Sequence, residues 1–441
     1  MMHSYFQQLA AAVCAPLAGT DRVTLYFSAE ASDFIRFNHA QVRQATHVEQ
    51  RYGTVSVVSG QKRASSSISL GGDLAADSEA LLAERAVLLE QLPLVPDDAY
   101  LLLPEAIVNT ERSATGSLPT PQQLMDTVAE HAAGSDLVGF YAGGSVVRAF
   151  ADSRGQRNWH SVESFHFDWC LYRERDQAVK CSYAGTAWSS TDFARRVLEA
   201  RARIELLALP PKALAPGPYR VYFSPVAVAE ILGTVSWGGF GLKDLQTGTS
   251  NLILAHQGKA QLSPLVTLTE ATTEGIAPRF QADGFTKPDA VELVRAGQMG
   301  ASLTSPRSAK EYGQATNGSS DGESPESLAM APGSLPEAEV LQALGTGVYI
   351  SNLHYLNYSD RQACRMTGMT RFACFWVENG QIVAPIPVMR FDDSFLRMFG
   401  TGLVALTDHA ELVPADGTYG ARQLQSLTAP GAIVEGFALT L

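Results

Sequence analysis

Residues 219–241, YRVYFSPVAVAEILGTVSWGGFG, decide how the rest of this chain is read. The run 219–223 is short, aromatic and β-branched, which suits a strand. Ser224 then offers a hydroxyl to cap a helix, and Pro225 fits the first helical turn because that position needs no amide hydrogen. Val228, Ile231, Leu232 and Val235 recur at i, i+3, i+4 and i+7, which lays an apolar stripe along one helix face. Gly238, Gly239 and Gly241 stop the helix. The stretch predicts a strand feeding a buried central helix over about residues 224–237.

Working outward, composition sets limits. The 441 residues suffice for two or three domains of roughly 100–200 residues each, and 46% hydrophobic content supports real cores. A formal charge of −12, from 45 acidic and 33 basic residues, argues against nonspecific nucleic-acid or anionic-membrane binding. The five cysteines, Cys14, Cys170, Cys181, Cys364 and Cys374, form no CxxC pair and read as reduced thiols. The opening residues MMHSYFQQLAAAVCAPLAG lack a basic n-region and read as an amphipathic helix. No run reaches the roughly 18 apolar residues of a membrane span. The expectation is a cytoplasmic protein with neither a membrane nor a nucleic-acid partner.

Before the central stretch, residues 23–28, 34–37, 54–58 and 65–70 read as strands, and 75–92 as a helix that Pro93 and Pro96 end. A strand pair is expected at 137–150 around Gly143-Gly144, and another at 158–172 and 177–187. Residues 191–208 read as a helix with Arg195, Arg196, Arg201 and Arg203 on its surface. The proline-rich run 209–218, LPPKALAPGP, marks a boundary. The fold expected is α+β: an N-terminal α/β domain over 1–209, then a larger β-rich domain of mixed or antiparallel sheets over 210–441. Within the latter, residues 317–336, in a segment of about 313–338, are rich in Gly, Ser, Pro and Glu and read as an exposed loop. Asn379-Gly380 between two apolar runs is a two-residue hairpin signal.

With those residues in view, the chain resembles the TldD/PmbA family, also called modulators of DNA gyrase. The resemblance is carried by the central helix, by the hairpin VENGQI at 377–382 and by PGAIVEGFALT at 430–440. In the active branch, the helix resembles P-x-A-A-x-x-L-L-H-E-A-x-G-H, which with a downstream cysteine implies a zinc peptidase site. Laid over this chain from Pro225, the histidine positions hold Gly233 and Gly238 and the glutamate position holds Thr234. Glycine has no ligand atom and threonine is no base at neutral pH, while zinc hydrolysis needs imidazole or thiolate ligands and a carboxylate. No cysteine follows Cys374, and in the matching region of about 407–425 His409 is the metal-binding candidate.

The resemblance therefore implies the PmbA/TldE-like branch: no catalytic residues, no metal ligands and no cofactor, with zinc expected only in an active partner subunit. The partner would be a second copy or a TldD-like peptidase, and the substrate an unfolded peptide. Two alternatives stay open: an independent metallopeptidase with a differently built metal site, and a stand-alone peptide-binding homodimer. His256, His354 and His409 have no ligand spacing. His160, His166 and Cys170 fall on one face of a period-two strand, where packing or hydrogen bonding is the plainer role. There is no G-x-S-x-G elbow and no phosphate-binding glycine loop. Phe372, Trp376 and Glu378, beside the hairpin, are candidates for a strand that lines a peptide or an interface.

Overall fold

The computed structural model describes residues 1–441. The first part of the chain builds a seven-stranded sheet. Its elements are α1 (Met2–Val13), β1 (Arg22–Asn38), β2 (Gln41–Ser59), β3 (Lys62–Ser69), α2 (Leu74–Gln91) and β4 (Thr110–Ala114). They continue with α3 (Pro121–His131), β5 (Asp136–Asp152), β6 (Arg157–Tyr172), β7 (Ala178–Gly185) and α4 (Ser190–Leu206). The spatial order is β3-β2-β1-β5-β6-β4, with β7 beside β6, and all pairings are antiparallel except β4 on β6.

Two sequence expectations are corrected here. The separate strands expected at 23–28 and 34–37 are one strand, β1. The strand pair expected around Gly143-Gly144 is also one strand, β5. Gly144 does not turn the chain. It sits at φ 150°, and a side chain there would collide with the Ala31 carbonyl of β1. The glycine serves close approach of two strands, a role that looks like a turn signal in sequence.

The second sheet has thirteen strands. It starts with β8 (Gly217–Phe223), α5 (Pro225–Val235), α6 (Leu242–Gln246), α7 (Ile253–His256), β9 (Leu268–Glu270), β10 (Val291–Arg295) and β11 (Gln298–Met299). Then come α8 (Pro306–Tyr312), β12 (Ser327–Met330), α9 (Val340–Leu344), β13 (Gly347–Ile350), β14 (Asn352–Asp360), β15 (Arg365–Arg371) and β16 (Phe375–Glu378). The chain closes with β17 (Gln381–Pro385), β18 (Arg390–Ser394), α10 (Phe395–Met398), β19 (Leu403–Pro414) and β20 (Ser426–Leu439). The main path is β11-β10-β9-β12-β20-β8-β13-β16-β17, mixed in direction. This is an α+β fold. No helix is long and apolar enough to cross a membrane.

The central helix forms as its residues dictate. The Ser224 hydroxyl accepts from the Ala227 amide at 3.2 Å and Pro225 opens the first turn. Val228, Ile231, Leu232 and Val235 are fully buried in the core of the second sheet, each contributing about 1.5–3 kcal/mol through removal of apolar surface from water. Asn379 and Gly380, at φ 51° and 77°, form the two-residue hairpin joining β16 to β17.

The exposed loop expected over about 313–338 is corrected as well. Residues 327–330 are β12, clamped between β9 and β20, with Leu328 and Met330 buried. Glu323 is buried too, its carboxylate accepting from the amides of Lys243 (2.8 Å) and Ser305 (2.7 Å). A four-residue strand with polar flanks is too short to show a period, and carboxylates that bond backbone amides read as solvent-facing charge in sequence.

The two sheets are joined by polar contacts. Arg422, on the β19–β20 connection, is 4% exposed and reaches into the first sheet, where its guanidinium donates to the Gly144 carbonyl (3.1 Å) and to the Ser164 carbonyl and hydroxyl (2.7 and 2.8 Å). Its backbone amide donates to Glu30 at 2.9 Å. The Asp283-Gly284 turn makes a second polar contact further along the first sheet: Asp283 pairs with Arg63, and the Gly284 carbonyl accepts from Gln156 at 2.7 Å.

Candidate functional site

Between the sheets lies a cavity of about 860 Å³. The core stripe of α5 leaves the other side of the helix to form one wall: Val226, Ala229, Glu230, Gly233 and Ser236 all face the space. Facing them are His166 and Asp168 of β6, Lys180 of β7, Arg196 and Arg203 of α4, and His409 and Glu411 of β19. The α4 arginines, expected on the surface, thus divide: Arg195 pairs with Glu199 at 2.7 Å, whereas Arg196 and Arg203 are half-buried over the rings of Tyr183 (5.1 Å) and Tyr349 (5.9 Å). Burial pushes the pKa of His166 down, against the raising influence of Asp168.

The three positions matching the zinc motif fare differently. Gly233 opens onto the cavity, and a Cβ built on it meets nothing within 4 Å. Thr234 is buried against the core side, its hydroxyl donating to the Glu230 carbonyl one turn back at 3.0 Å. Gly238 lies past the end of α5, at φ 78°, and a side chain there would collide with Arg361 and with Asp244 Oδ2, 2.8 Å away. The residues present do not fit a zinc ion at this place. Nowhere do three His, Cys, Asp or Glu side chains converge as a ligand set. His160 is buried with Nε2 3.0 Å from the Ile276 carbonyl, and burial lowers its pKa to about 4. His354 is exposed on β14 and His256 ends α7. All five cysteines are unpaired.

Because its Cβ would enter open space at an ordinary helical φ, Gly233→Ala is expected to stabilise the fold by roughly 0.5–1 kcal/mol through the higher helix propensity of alanine. A urea midpoint that fell instead would show the glycine to be required by packing.

Glu230 is the site residue that sequence reading passed over. One carboxylate oxygen accepts from the Leu353 amide at 2.5 Å, yet burial outweighs that bond and raises its pKa to about 7. Ionising this carboxyl is harder in the folded chain than in the unfolded one. Its effect on stability is therefore absent near pH 4.5 and grows as a penalty up to about pH 7. Glu230→Gln, which keeps an acceptor oxygen, should match the parent near pH 4.5 and exceed it above pH 7 by about 1–3 kcal/mol. Urea unfolding at pH 4.5 and pH 8 checks this; equal differences at both would remove the argument.

Phe372, Trp376 and Glu378 are not brought to this cavity. Trp376 Nε1 donates to Glu378 (2.6 Å), Lys212 pairs with Glu378 (2.6 Å), and the Lys212 ammonium sits 4.5 Å above the Trp376 ring. Phe372, at φ 61°, lies under the Arg371 guanidinium. Strand β16 is paired on both edges, by β13 and β17, so no peptide can add there. The open edges lie elsewhere. β7 is paired only with β6, β19 is paired along its length only with β20, and both strands line the cavity.

Residues 216–440 match the family model described as the PmbA/TldA metallopeptidase C-terminal domain. Among solved structures, a putative modulator of DNA gyrase from Thermotoga maritima is similar over 100% of both chains, with TM-score 0.76 and 14% identity. TldE from Thermococcus kodakarensis is similar over 100% of both, with TM-score 0.80 and 12% identity. A putative modulator of DNA gyrase from Bacteroides thetaiotaomicron covers 99% of this chain and 98% of its own, with TM-score 0.72 and 16% identity. At these identities the likeness establishes the fold. No curated protein sequence matches the chain.

Proposed function

The chain belongs to the TldD/PmbA metallopeptidase family, and from that premise we propose that it is a non-catalytic, TldE-like member that receives extended, unfolded peptides and works beside a zinc-carrying TldD-type subunit. The observation that carries the reading is the central helix itself. α5 keeps its cap, core stripe and cavity wall, while the motif positions hold Gly233, Thr234 and Gly238 in an arrangement that cannot ligate a metal. A scaffold retained without its reactive groups suits binding rather than hydrolysis.

Peptide as the ligand is supported by the cavity wall. The open edges of β7 and β19 offer backbone donors and acceptors to an extended chain, which is how β-addition gains affinity without sequence selectivity. Side chains of both charges, with Val226 and Ala229 between them, suit a mixed peptide sequence. Action in the cytoplasm accords with five unpaired cysteines.

The test is reconstitution. Mixed with a TldD-type chain from the same genome, the protein should form a complex and change the rate of cleavage of an unfolded peptide, and alone it should cleave nothing. No complex together with no change in rate would overturn the reading.

A further inference from the structure

Strand β8 divides the lining of the cavity. Val221 and Phe223 turn into the core beside α5, whereas Tyr222 points to the opposite face and packs with Val340, Leu344, Val377 and Ile433. Tyr349 of β13 is its partner in register, with the two rings 5.2 Å apart. Arg203 reaches this pair from α4, its guanidinium carbon 5.9 Å from the centre of the Tyr349 ring. All three side chains line the cavity. Tyr222 is 3% exposed, yet neither its hydroxyl nor that of Tyr349 is hydrogen-bonded to a protein group, and no protein acceptor meets the N–H groups of Arg203. The ring face eases the charge of Arg203 but takes none of its hydrogen bonds. Burial, with Glu337 and Glu411 nearby, raises the pKa of both phenols, so the hydroxyls stay protonated and able to donate.

The open edge of β7 runs beside these donors. Burial pushes the Cys181 thiol on β7 up to about 12 while the charge of Arg203 draws it down, so the guanidinium is close to that strand. The Arg173 amide donates to the Gln177 carbonyl at 3.0 Å across the β6–β7 turn. By alternation Val179, Cys181 and Tyr183 bond to β6, and the amides and carbonyls of Lys180 and Ser182 turn outward. Arg196 already donates to the Ser182 carbonyl at 3.2 Å. An extended peptide added to β7 can therefore pair at Lys180 but is stopped at Ser182, and a chain that stops there presents its terminus.

We propose that Arg203, with the hydroxyls of Tyr222 and Tyr349, holds a carboxylate of the peptide ligand. A planar guanidinium and two phenols supply donors to both carboxylate oxygens. The block at Ser182 favours the C-terminal carboxylate as the source, and an acidic side chain is the other source of the same chemistry. Glu337 and Glu411 would repel a dianion, so the site suits a single negative charge. The inference rests on the peptide reading above and adds a fixed end to it.

Fluorescence anisotropy on the full chain tests this, with an unstructured, N-terminally labelled peptide free of Asp and Glu as the probe. The free acid should bind about tenfold or more tightly than its C-terminal amide. Arg203→Gln and Tyr222→Phe should each shrink that ratio, with circular dichroism and the affinity for the amide unchanged. An amidated peptide with one internal Glu that regains the affinity, and loses it again in Arg203→Gln, would assign the carboxylate to an acidic side chain. Equal binding of the acid, the amide and the Glu-containing peptide overturns the carboxylate site and leaves the peptide reading intact. So does a preference for the free acid that survives in both folded variants. Binding of none of the three would overturn the peptide reading and this site together.

Discussion

Arg422→Ala should destabilise the protein by about 3–5 kcal/mol, the range expected when one member of a buried charged network is removed. Three features set that size. The guanidinium is buried and holds the Gly144 carbonyl on β5 together with the Ser164 carbonyl and hydroxyl on β6. Glu30, 4% exposed, would lose the cation beside it while its carboxylate stayed buried. The connection carrying Arg422 also lies between β19 and β20, so the loss falls where the second sheet grips the first. Arg422→Lys should recover only part, because an ammonium cannot span the same acceptors as a planar fork. Urea unfolding gives the magnitude. Hydrogen exchange gives the place: amides near Ser32, Gly144 and Ser164 should exchange faster, while those of α5 should not. Uniform acceleration throughout the chain would contradict a local joint.

Asn251→Ala is the second large effect, at about 2–4 kcal/mol. Asn251 is fully buried, and its amide nitrogen lies 3.0 Å from the carbonyls of both Val235 and Trp237 at the end of α5. The last carbonyls of a helix have no partner within it. Here Tyr358 takes that of Thr234 (2.7 Å), Asn251 takes the next, and Arg361 shares that of Trp237 (2.8 Å). Alanine at 251 would strand the Val235 carbonyl away from water and leave that of Trp237 to Arg361 alone. Arg361→Ala should cost less, about 1 kcal/mol, because its side chain is largely exposed and water can replace it. The order of the two urea midpoints is the check, and a larger loss at Arg361 would refute this account of the helix end.

Much of the second sheet was legible from residues alone because its signals are local. Ser224-Pro225 with a four-residue apolar stripe specifies a capped, buried helix, and Asn379-Gly380 specifies a hairpin. The strands of β6 and β7 were visible from their aromatic and β-branched content. The cavity was not. Its walls come from α4, α5, β6, β7 and β19, and nothing local distinguishes Arg203, which faces a tyrosine across the space, from Arg195, which pairs on its own helix. Glu230 reads as a polar residue on a helix face and becomes unusual only when burial raises its pKa. Trp376 looked available because Lys212, its cation partner, lies in a proline-rich segment that reads as a spacer. Long-range partners carry no mark in sequence, and that accounts for most of what was missed.

The way α5 ends makes any return to metal chemistry lopsided. At Gly233 a histidine would extend into open space, so one substitution could supply an imidazole there. At Gly238 the backbone is left-handed, and Arg361 and Asp244 occupy the room a side chain would need. A second imidazole would require the helix to be carried further, with Asn251, Tyr358 and Arg361 all released from its carbonyls. One imidazole is a single substitution away, and the other lies behind a barrier built from the protein's own stability.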